Sequence, residues 1–111
     1  MNYKANLTAL KLLGVDKVVG IYACGIISPK IKPGDLLLAS DFGGLGLGPV
    51  TFFDTFGKGV MHTDFSEPFD KAIISEIKKA AKREKIAVKD NGVIVTAPGP
   101  RFETKFEVNV W

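Results

Sequence analysis

Three short runs of aliphatic and β-branched residues constrain the fold of this chain most strongly. They lie at Lys17–Ala23, Leu36–Ser40 and Val93–Thr96, and none of them alternates regularly between apolar and polar residues. Strands that are apolar at successive positions are typical of a sheet that is covered on both faces. The runs therefore predict buried strands in a parallel α/β arrangement.

Helical patterns stand before and between these runs. Asn2 can cap a helix over Tyr3–Leu13, which Gly14 would end through a left-handed conformation. A longer helix begins at Ser66 or Asp70, because apolar residues recur there at helical spacing. Its apolar stripe consists of Ile73, Ile74, Ile77, Ala80 and Ala81.

The remaining segments are less regular. Asp41–Gly59 is rich in glycine and phenylalanine without a clear period, which predicts a long loop of the kind that often carries function. Val60–Phe65 could form a further strand that carries His62. Asp90–Gly92 predicts a turn before the last apolar run, and Ile86–Val88 could begin an extended segment.

Composition excludes several classes of protein. The 111 residues are 46% apolar and 24% charged, which predicts one globular domain over residues 1–111. A single cysteine and a single histidine exclude an internal disulfide and a multi-histidine metal site, and they favour a cytoplasmic protein. A net charge of +3 is too small to indicate nucleic-acid binding, and the longest apolar run is too short to cross a membrane.

The stretch "TAPGPRFETKFE" at Thr96–Glu107 is the strongest candidate for a site. Two prolines stiffen the chain directly after a predicted strand, so Phe102 and Glu103 would project from a fixed backbone. An aromatic face can pack against a sugar or a planar ring, and a carboxylate can accept hydrogen bonds from ring N–H or amino groups. The alternative is a helix start, in which Glu103 favours the helix dipole and Phe102 covers the core.

Two further sites are open to alternative interpretations. "YACG" at Tyr22–Gly25 ends a predicted strand, where small residues would let backbone N–H groups approach an anion, or would simply permit close packing. His62 is either a packed or surface histidine or a donor to a ligand hydroxyl. The glycines of Gly43–Gly48 lack the spacing of a dinucleotide or phosphate loop.

Several separate stretches together resemble the trimeric purine nucleoside phosphorylases, above all their 5'-methylthioadenosine phosphorylase branch. They occur in the order expected of that family and cover nearly the whole chain. These stretches are "NYKANLTALKLLGV", "ACG", "KPGDLLL", "TFFD", "MHTDFSEPFD" and "GPRFETKFE".

The resemblance implies phosphorolysis, in which phosphate attacks the anomeric carbon of a purine nucleoside and releases the base and a pentose 1-phosphate. It implies inorganic phosphate as co-substrate, no metal or organic cofactor, and a homo-oligomer. It assigns the strand-end segment Ala23, Cys24 and Gly25 to phosphate and ribose. Phe102 would pack on the nucleoside, Glu103 would contact the base, and His62 would reach the neighbouring subunit's pocket near the 5' substituent.

The chain also departs from that family. Tyr22 stands where relatives commonly carry a smaller polar residue, and Glu103 stands where some methylthioadenosine enzymes carry serine, so the choice between 6-amino and 6-oxo purines is open. The family's chains are more than twice as long. We therefore expect the central part of a phosphorylase-type α/β domain, with a central mixed sheet flanked by helices and little turnover of its own. The alternative function is a non-catalytic oligomerisation or interaction module.

Overall fold

The computed structural model describes residues 2–45, 48, 51–53, 59 and 61–111. The chain divides into two compact units, Met1–Cys24 with Gly48–Thr63 and Gly25–Leu47 with Asp64–Trp111. Each unit is described in turn. The prediction of a single domain over residues 1–111 stays a prediction.

The first unit contains helix α1, Tyr3–Leu12. The Asn2 side chain accepts a hydrogen bond from the Ala5 backbone N–H at 3.0 Å and so satisfies one of the free donors at the helix start. Gly14 follows the helix with a φ of +75°, a conformation that glycine adopts without strain. The predicted first helix and both of its end signals are confirmed.

The segment that follows α1 contradicts a prediction. Residues 15–24 form neither helix nor strand, and the side chains of Ile21 and Tyr22 are 92% and 74% exposed. The predicted buried strand at Lys17–Ala23 is therefore wrong for this structure. A strand needs the backbone of a neighbour to satisfy its N–H and C=O groups, and apolar character alone supplies none.

The second unit is built on two parallel strands. β1 runs over Leu36–Gly44 and β2 over Val88–Thr96, with Leu36 opposite Val88 and Gly44 opposite Thr96. Parallel strands need a long crossover, and helix α2, Lys71–Arg83, lies between them in sequence. Both predicted strands are confirmed, although β1 extends four residues into the predicted loop and most of the rest of that loop lies outside the described residues.

β2 also begins earlier than predicted. Asp90–Gly92, predicted as a turn, lies inside the strand, where Asn91 has a φ of +57°. The register shifts between Leu37 and Ala39, opposite this stretch. An extra residue on one strand bends a sheet without ending it, which explains how a turn-like sequence continues the pairing.

Helix α2 spans Lys71–Arg83 and confirms the longer helix that the sequence predicts. The Asp70 side chain caps it by accepting from the backbone N–H groups of Ala72 and Ile73 at 2.8 and 3.0 Å, so the helix begins at Asp70 rather than Ser66. All five residues of its predicted apolar stripe are half-buried. The further strand predicted at Val60–Phe65 does not form over residues 61–65, and Val60 lies outside the described residues.

Helix α3, Lys105–Val110, completes the second unit. The predicted α/β class is confirmed, and its described sheet is a single parallel pair with helices beside it in sequence. Within the described residues no hydrophobic side chain is fully buried. No helix in that part of the chain is long and apolar enough to cross a membrane.

Candidate functional site

The segment between β2 and α3 carries the strongest candidate residues. β2 ends at Thr96, a turn occupies Gly99–Arg101, and α3 begins at Lys105. Phe102 and Glu103 therefore stand on the link between a strand end and a helix start. The Thr104 side chain caps α3 by accepting from the Glu107 backbone N–H at 3.2 Å.

Glu107 is the centre of this link. Its carboxylate accepts from Arg101 Nη1 at 2.8 Å, from Arg101 Nη2 at 2.7 Å and from the Thr104 backbone N–H at 2.8 Å. The last bond and the Thr104 cap together form a reciprocal capping box. Glu107 is 8% exposed. Its carboxylate binds Arg101 through two parallel N–H groups, which is the strongest geometry for an arginine–carboxylate pair.

Both partners remain charged over the physiological pH range. The Arg101 hydrogen bonds, followed by that of the Thr104 backbone, lower the pKa of Glu107 to about 2 from an ordinary value of 4.5. The same carboxylate raises the pKa of Arg101 above its already high ordinary value. The pair therefore stays ionised wherever the protein is folded near neutral pH.

Phe102 and Glu103 project from this held backbone. Phe102 is 91% exposed, and its carbonyl oxygen accepts from Arg101 Nη1 at 2.9 Å. Glu103 is also exposed. The interpretation of Phe102 as a residue that covers the core is wrong for this structure, and the acidic residue in the first turn of α3 is Glu107 rather than Glu103.

The predicted phosphate segment has a different character. Ala23 and Cys24 are exposed, and Cys24 is a free thiol. A Cβ atom added to Gly25 would meet no atom of the described residues within 4 Å, so close packing among them does not explain the glycine there. The Tyr22 ring instead lies over Gly20, where an added Cβ would come within 2.3 Å of the phenol oxygen.

The six predicted site residues fall in both units of the chain. Ala23, Cys24 and His62 belong to the first, whereas Gly25, Phe102 and Glu103 belong to the second. His62 is exposed and lies on an irregular segment. That these residues form one pocket stays a prediction.

Arg101, Thr104 and Glu107 are the residues that sequence reasoning missed. The signal was present, since "TKFE" has the Thr-x-x-Glu spacing of a capping box.

A cavity of about 280 Å³ elsewhere in the second unit contains none of the predicted site residues. Its charged groups are paired, because Lys78 contacts Asp90 and Lys71 contacts Glu67. The lining residues are Ser40, Lys71, Ile74, Ser75, Lys78, Asp90 and Asn91.

Comparison with known proteins decides the family. Residues 1–111 match the family described as "Phosphorylase superfamily". The chain belongs to the phosphorylase superfamily. The predicted resemblance to nucleoside phosphorylases is thereby confirmed.

Three relatives within this superfamily illustrate the similarity. The chain is 36% identical over 111 residues to the "Probable 6-oxopurine nucleoside phosphorylase" of Moorella thermoacetica. The matched region covers 99% of this chain and 43% of the relative. The chain is 35% identical to the "S-methyl-5'-thioadenosine phosphorylase" of Hyperthermus butylicus, covering 100% and 40%. It is 36% identical to the "Probable S-methyl-5'-thioinosine phosphorylase" of Methanothermobacter thermautotrophicus, covering 100% and 37%.

All three relatives are named as phosphorylases, so the prediction of an enzyme family is confirmed. The chain spans between 37% and 43% of their length. Their names divide between 6-oxopurine, methylthioadenosine and methylthioinosine activities, which leaves the base and the 5' substituent to be argued from this chain's own residues.

Proposed function

We propose that this chain serves the phosphorolysis of purine nucleosides, with 5'-methylthioadenosine or a related 5'-methylthio purine nucleoside as substrate. A phosphate oxygen forms a bond to the anomeric carbon while the bond from that carbon to the purine nitrogen breaks. The products are the free base and a pentose 1-phosphate. Turnover by the 111 residues alone is expected to be small, because they span only about two-fifths of the length of the relatives.

One observation carries the proposal. Phe102 and Glu103 are exposed side chains on a backbone whose neighbours, Arg101 and Glu107, are tied together. An exposed aromatic face is suited to stack on a nucleoside, and the adjacent carboxylate is suited to accept from a purine N–H. Neither side chain is needed for packing within the described residues.

The other contacts are proposed from the family. The Ala23–Gly25 backbone would meet phosphate and ribose, since only small side chains stand there. His62 would serve the neighbouring subunit's pocket near the 5' substituent in a homo-trimer. Phosphate attack requires that phosphate and nucleoside be held in a fixed mutual orientation, which is the role proposed for these contacts.

A binding experiment tests the proposal directly. The purified chain is titrated with inosine, 5'-methylthioadenosine and, as a pyrimidine control, uridine, in the presence of phosphate. We expect saturable binding of a purine nucleoside and an increase of about tenfold in Kd for Phe102→Ala, since stacking on one base is worth that order of affinity. Phe106→Ala is the matched control, because Phe106 is also exposed, at 72%, but lies on α3.

Two results would contradict the proposal. One is the absence of saturable binding of either purine nucleoside, or equal binding of uridine. The other is an equal loss of affinity in the Phe102→Ala and Phe106→Ala variants, since that would mark a general effect of removing an exposed phenyl ring.

A second candidate function is supported by a separate observation. Large apolar side chains are exposed throughout the described residues, including Leu12 at 83% and Ile21 at 92%. Exposed apolar surface on this scale is typical of a surface that another chain covers. We propose as the alternative a non-catalytic interaction module, whose contact surface includes the aromatic loop Phe52–Phe56 and His62. Residues 54–56 of that loop lie outside the described residues.

Mixing with a full-length relative separates the two functions. A module is expected to co-purify with the relative and to change its activity even when it carries Phe102→Ala. A nucleoside-binding chain is expected to bind purine nucleoside alone and to lose that binding with the same substitution.

A further inference from the structure

The seven residues Arg101–Glu107 form a loop that is closed on itself. Glu107, at its end, accepts two hydrogen bonds from Arg101, at its start, and one from the Thr104 backbone. Arg101 also donates to the Phe102 carbonyl oxygen. The three bonds from Arg101 span or touch the two residues that are proposed to meet the nucleoside, and the bond from the Thr104 backbone follows directly after those residues.

Arg101 itself would otherwise be an obvious candidate for phosphate, since arginine binds phosphate through two parallel N–H groups. That face of its guanidinium is turned to Glu107, with both distances below 3 Å. Three of its five N–H donors are used within the loop. The geometry thus assigns Arg101 to the loop rather than to an anionic ligand.

The link differs from the other ion pairs described here in the burial of its carboxylate. The side chain of Glu107 is 10% exposed, whereas the carboxylate side chains of the other pairs are between 28% and 62% exposed, namely those of Asp35, Asp90, Glu84 and Glu67. Exposed pairs contribute little order, because water and side-chain entropy offset the attraction. A shielded, two-pronged pair fixes the relative position of the two backbone segments that carry it.

We propose that Arg101 and Glu107 are positioning residues for purine recognition, which hold the backbone from which Phe102 and Glu103 meet the nucleoside. The inference rests on the proposed function, because Arg101 and Glu107 can position a recognition residue only if Glu103 contacts a purine base. Neither Arg101 nor Glu107 touches the ligand in this arrangement. Their effect on binding must therefore pass through Glu103 and Phe102.

A double-mutant cycle tests this dependence. Kd for inosine and for 5'-methylthioadenosine is measured in wild type, Glu107→Gln, Glu103→Gln and the double variant. We expect Glu107→Gln to raise the Kd of the preferred nucleoside by about tenfold in the wild-type background. In the Glu103→Gln background the same change should cost less than about threefold, since the charged contact of Glu103 is already removed and only the Phe102 contact remains to be positioned.

Two further variants complete the design. Arg101→Lys keeps the charge but loses the two-pronged geometry, so its Kd is expected between those of wild type and Glu107→Gln. Glu67→Gln removes a carboxylate from an exposed pair and is expected to leave Kd unchanged. Hydrogen exchange of the Thr104 amide, which donates to Glu107, is measured without ligand and reports whether the segment itself has loosened.

The outcomes separate this inference from the proposed function. If wild type binds neither purine nucleoside, the proposed function fails and the positioning role fails with it. If wild type binds but Glu107→Gln costs the same factor in both backgrounds, the residue is only structural and the inference alone is overturned. An unchanged Kd in Glu107→Gln or in Glu103→Gln also overturns it, while leaving nucleoside binding established.

Discussion

The base side and the phosphate side of the proposed nucleoside site are held in different ways. The base side, Arg101–Glu107, is closed by hydrogen bonds between residues at most six positions apart. The phosphate side, Ala23–Gly25 with the preceding residues from Gly20, forms neither helix nor strand and is exposed, and the Tyr22 ring lies over Gly20. Local hydrogen bonds therefore hold the first segment, whereas the hydrogen bonds of the described residues include none within the second.

The largest expected effect breaks the base side alone. Glu107→Gln replaces a charged acceptor of three hydrogen bonds by a neutral amide, so hydrogen exchange of the Thr104 amide should accelerate by about 10- to 100-fold. Amides of α2 should be unaffected, since that helix has its own cap at Asp70. Equal acceleration in α2 would mean that the loop is not an independent unit.

A pH titration removes the same charge without a substitution. The pKa of Glu107 is lowered from 4.5 to about 2, so the order that this carboxylate contributes is fully present above pH 4.5 and is lost as the pH falls through about 2. The Thr104 amide proton should therefore shift with a midpoint near pH 2 in an NMR titration. Its shift should be absent from Glu107→Gln.

The same titration has an internal check. Hydrogen bonds also lower the pKa values of Asp35, from Lys89 first, and of Asp90, from Lys78 first. If the whole second unit unfolded in acid, amides near these residues would move together with Thr104. A midpoint of the Thr104 shift near the ordinary 4.5 would instead contradict the Arg101–Glu107 bond as described.

The parts of the fold that sequence predicted are those that local chemistry determines. Asn2 and Asp70 marked the starts of α1 and α2 because a capping side chain reaches donors only two or three residues away. The apolar stripe of α2 followed from helical spacing for the same reason. β1 and β2 were recognised as apolar runs, and their parallel pairing agrees with the helix between them.

The failures concern choices that are settled outside the segment. Lys17–Ala23 has the composition of a buried strand, but whether it pairs depends on other backbone, and residues 15–24 are irregular here. Asp90–Gly92 has turn composition, yet it pairs as part of β2 through a register shift. The site differs, because the Arg101–Glu107 pair is local and the Thr104–Glu107 spacing of its capping box is visible in the sequence, whereas Phe102 and Glu103 were predicted from residue type alone.

A matched pair of glycine substitutions gives the smallest and most discriminating test of the comparison. Gly92 is buried in β2, the strand that leads to the base side, and an added Cβ would lie 2.5 Å from Leu37 Cγ. Because Cγ is close to the backbone, the strands must shift, and Gly92→Ala should lower the free energy of unfolding by about 1–3 kcal/mol. Chemical denaturation of the second unit's strands, followed by NMR, measures this loss.

Gly20→Ala is the counterpart on the phosphate side. There the added Cβ would lie 2.3 Å from the Tyr22 phenol oxygen, which is a shorter contact than at Gly92. That oxygen is the far end of a side chain that is 74% exposed, so the ring can rotate into solvent without moving the backbone. We therefore expect a change within about 0.5 kcal/mol in the free energy of unfolding, together with a changed environment of the Tyr22 ring. A loss as large as that of Gly92→Ala would mean that the phosphate side is held as firmly as the base side, and the distinction between the two would fall.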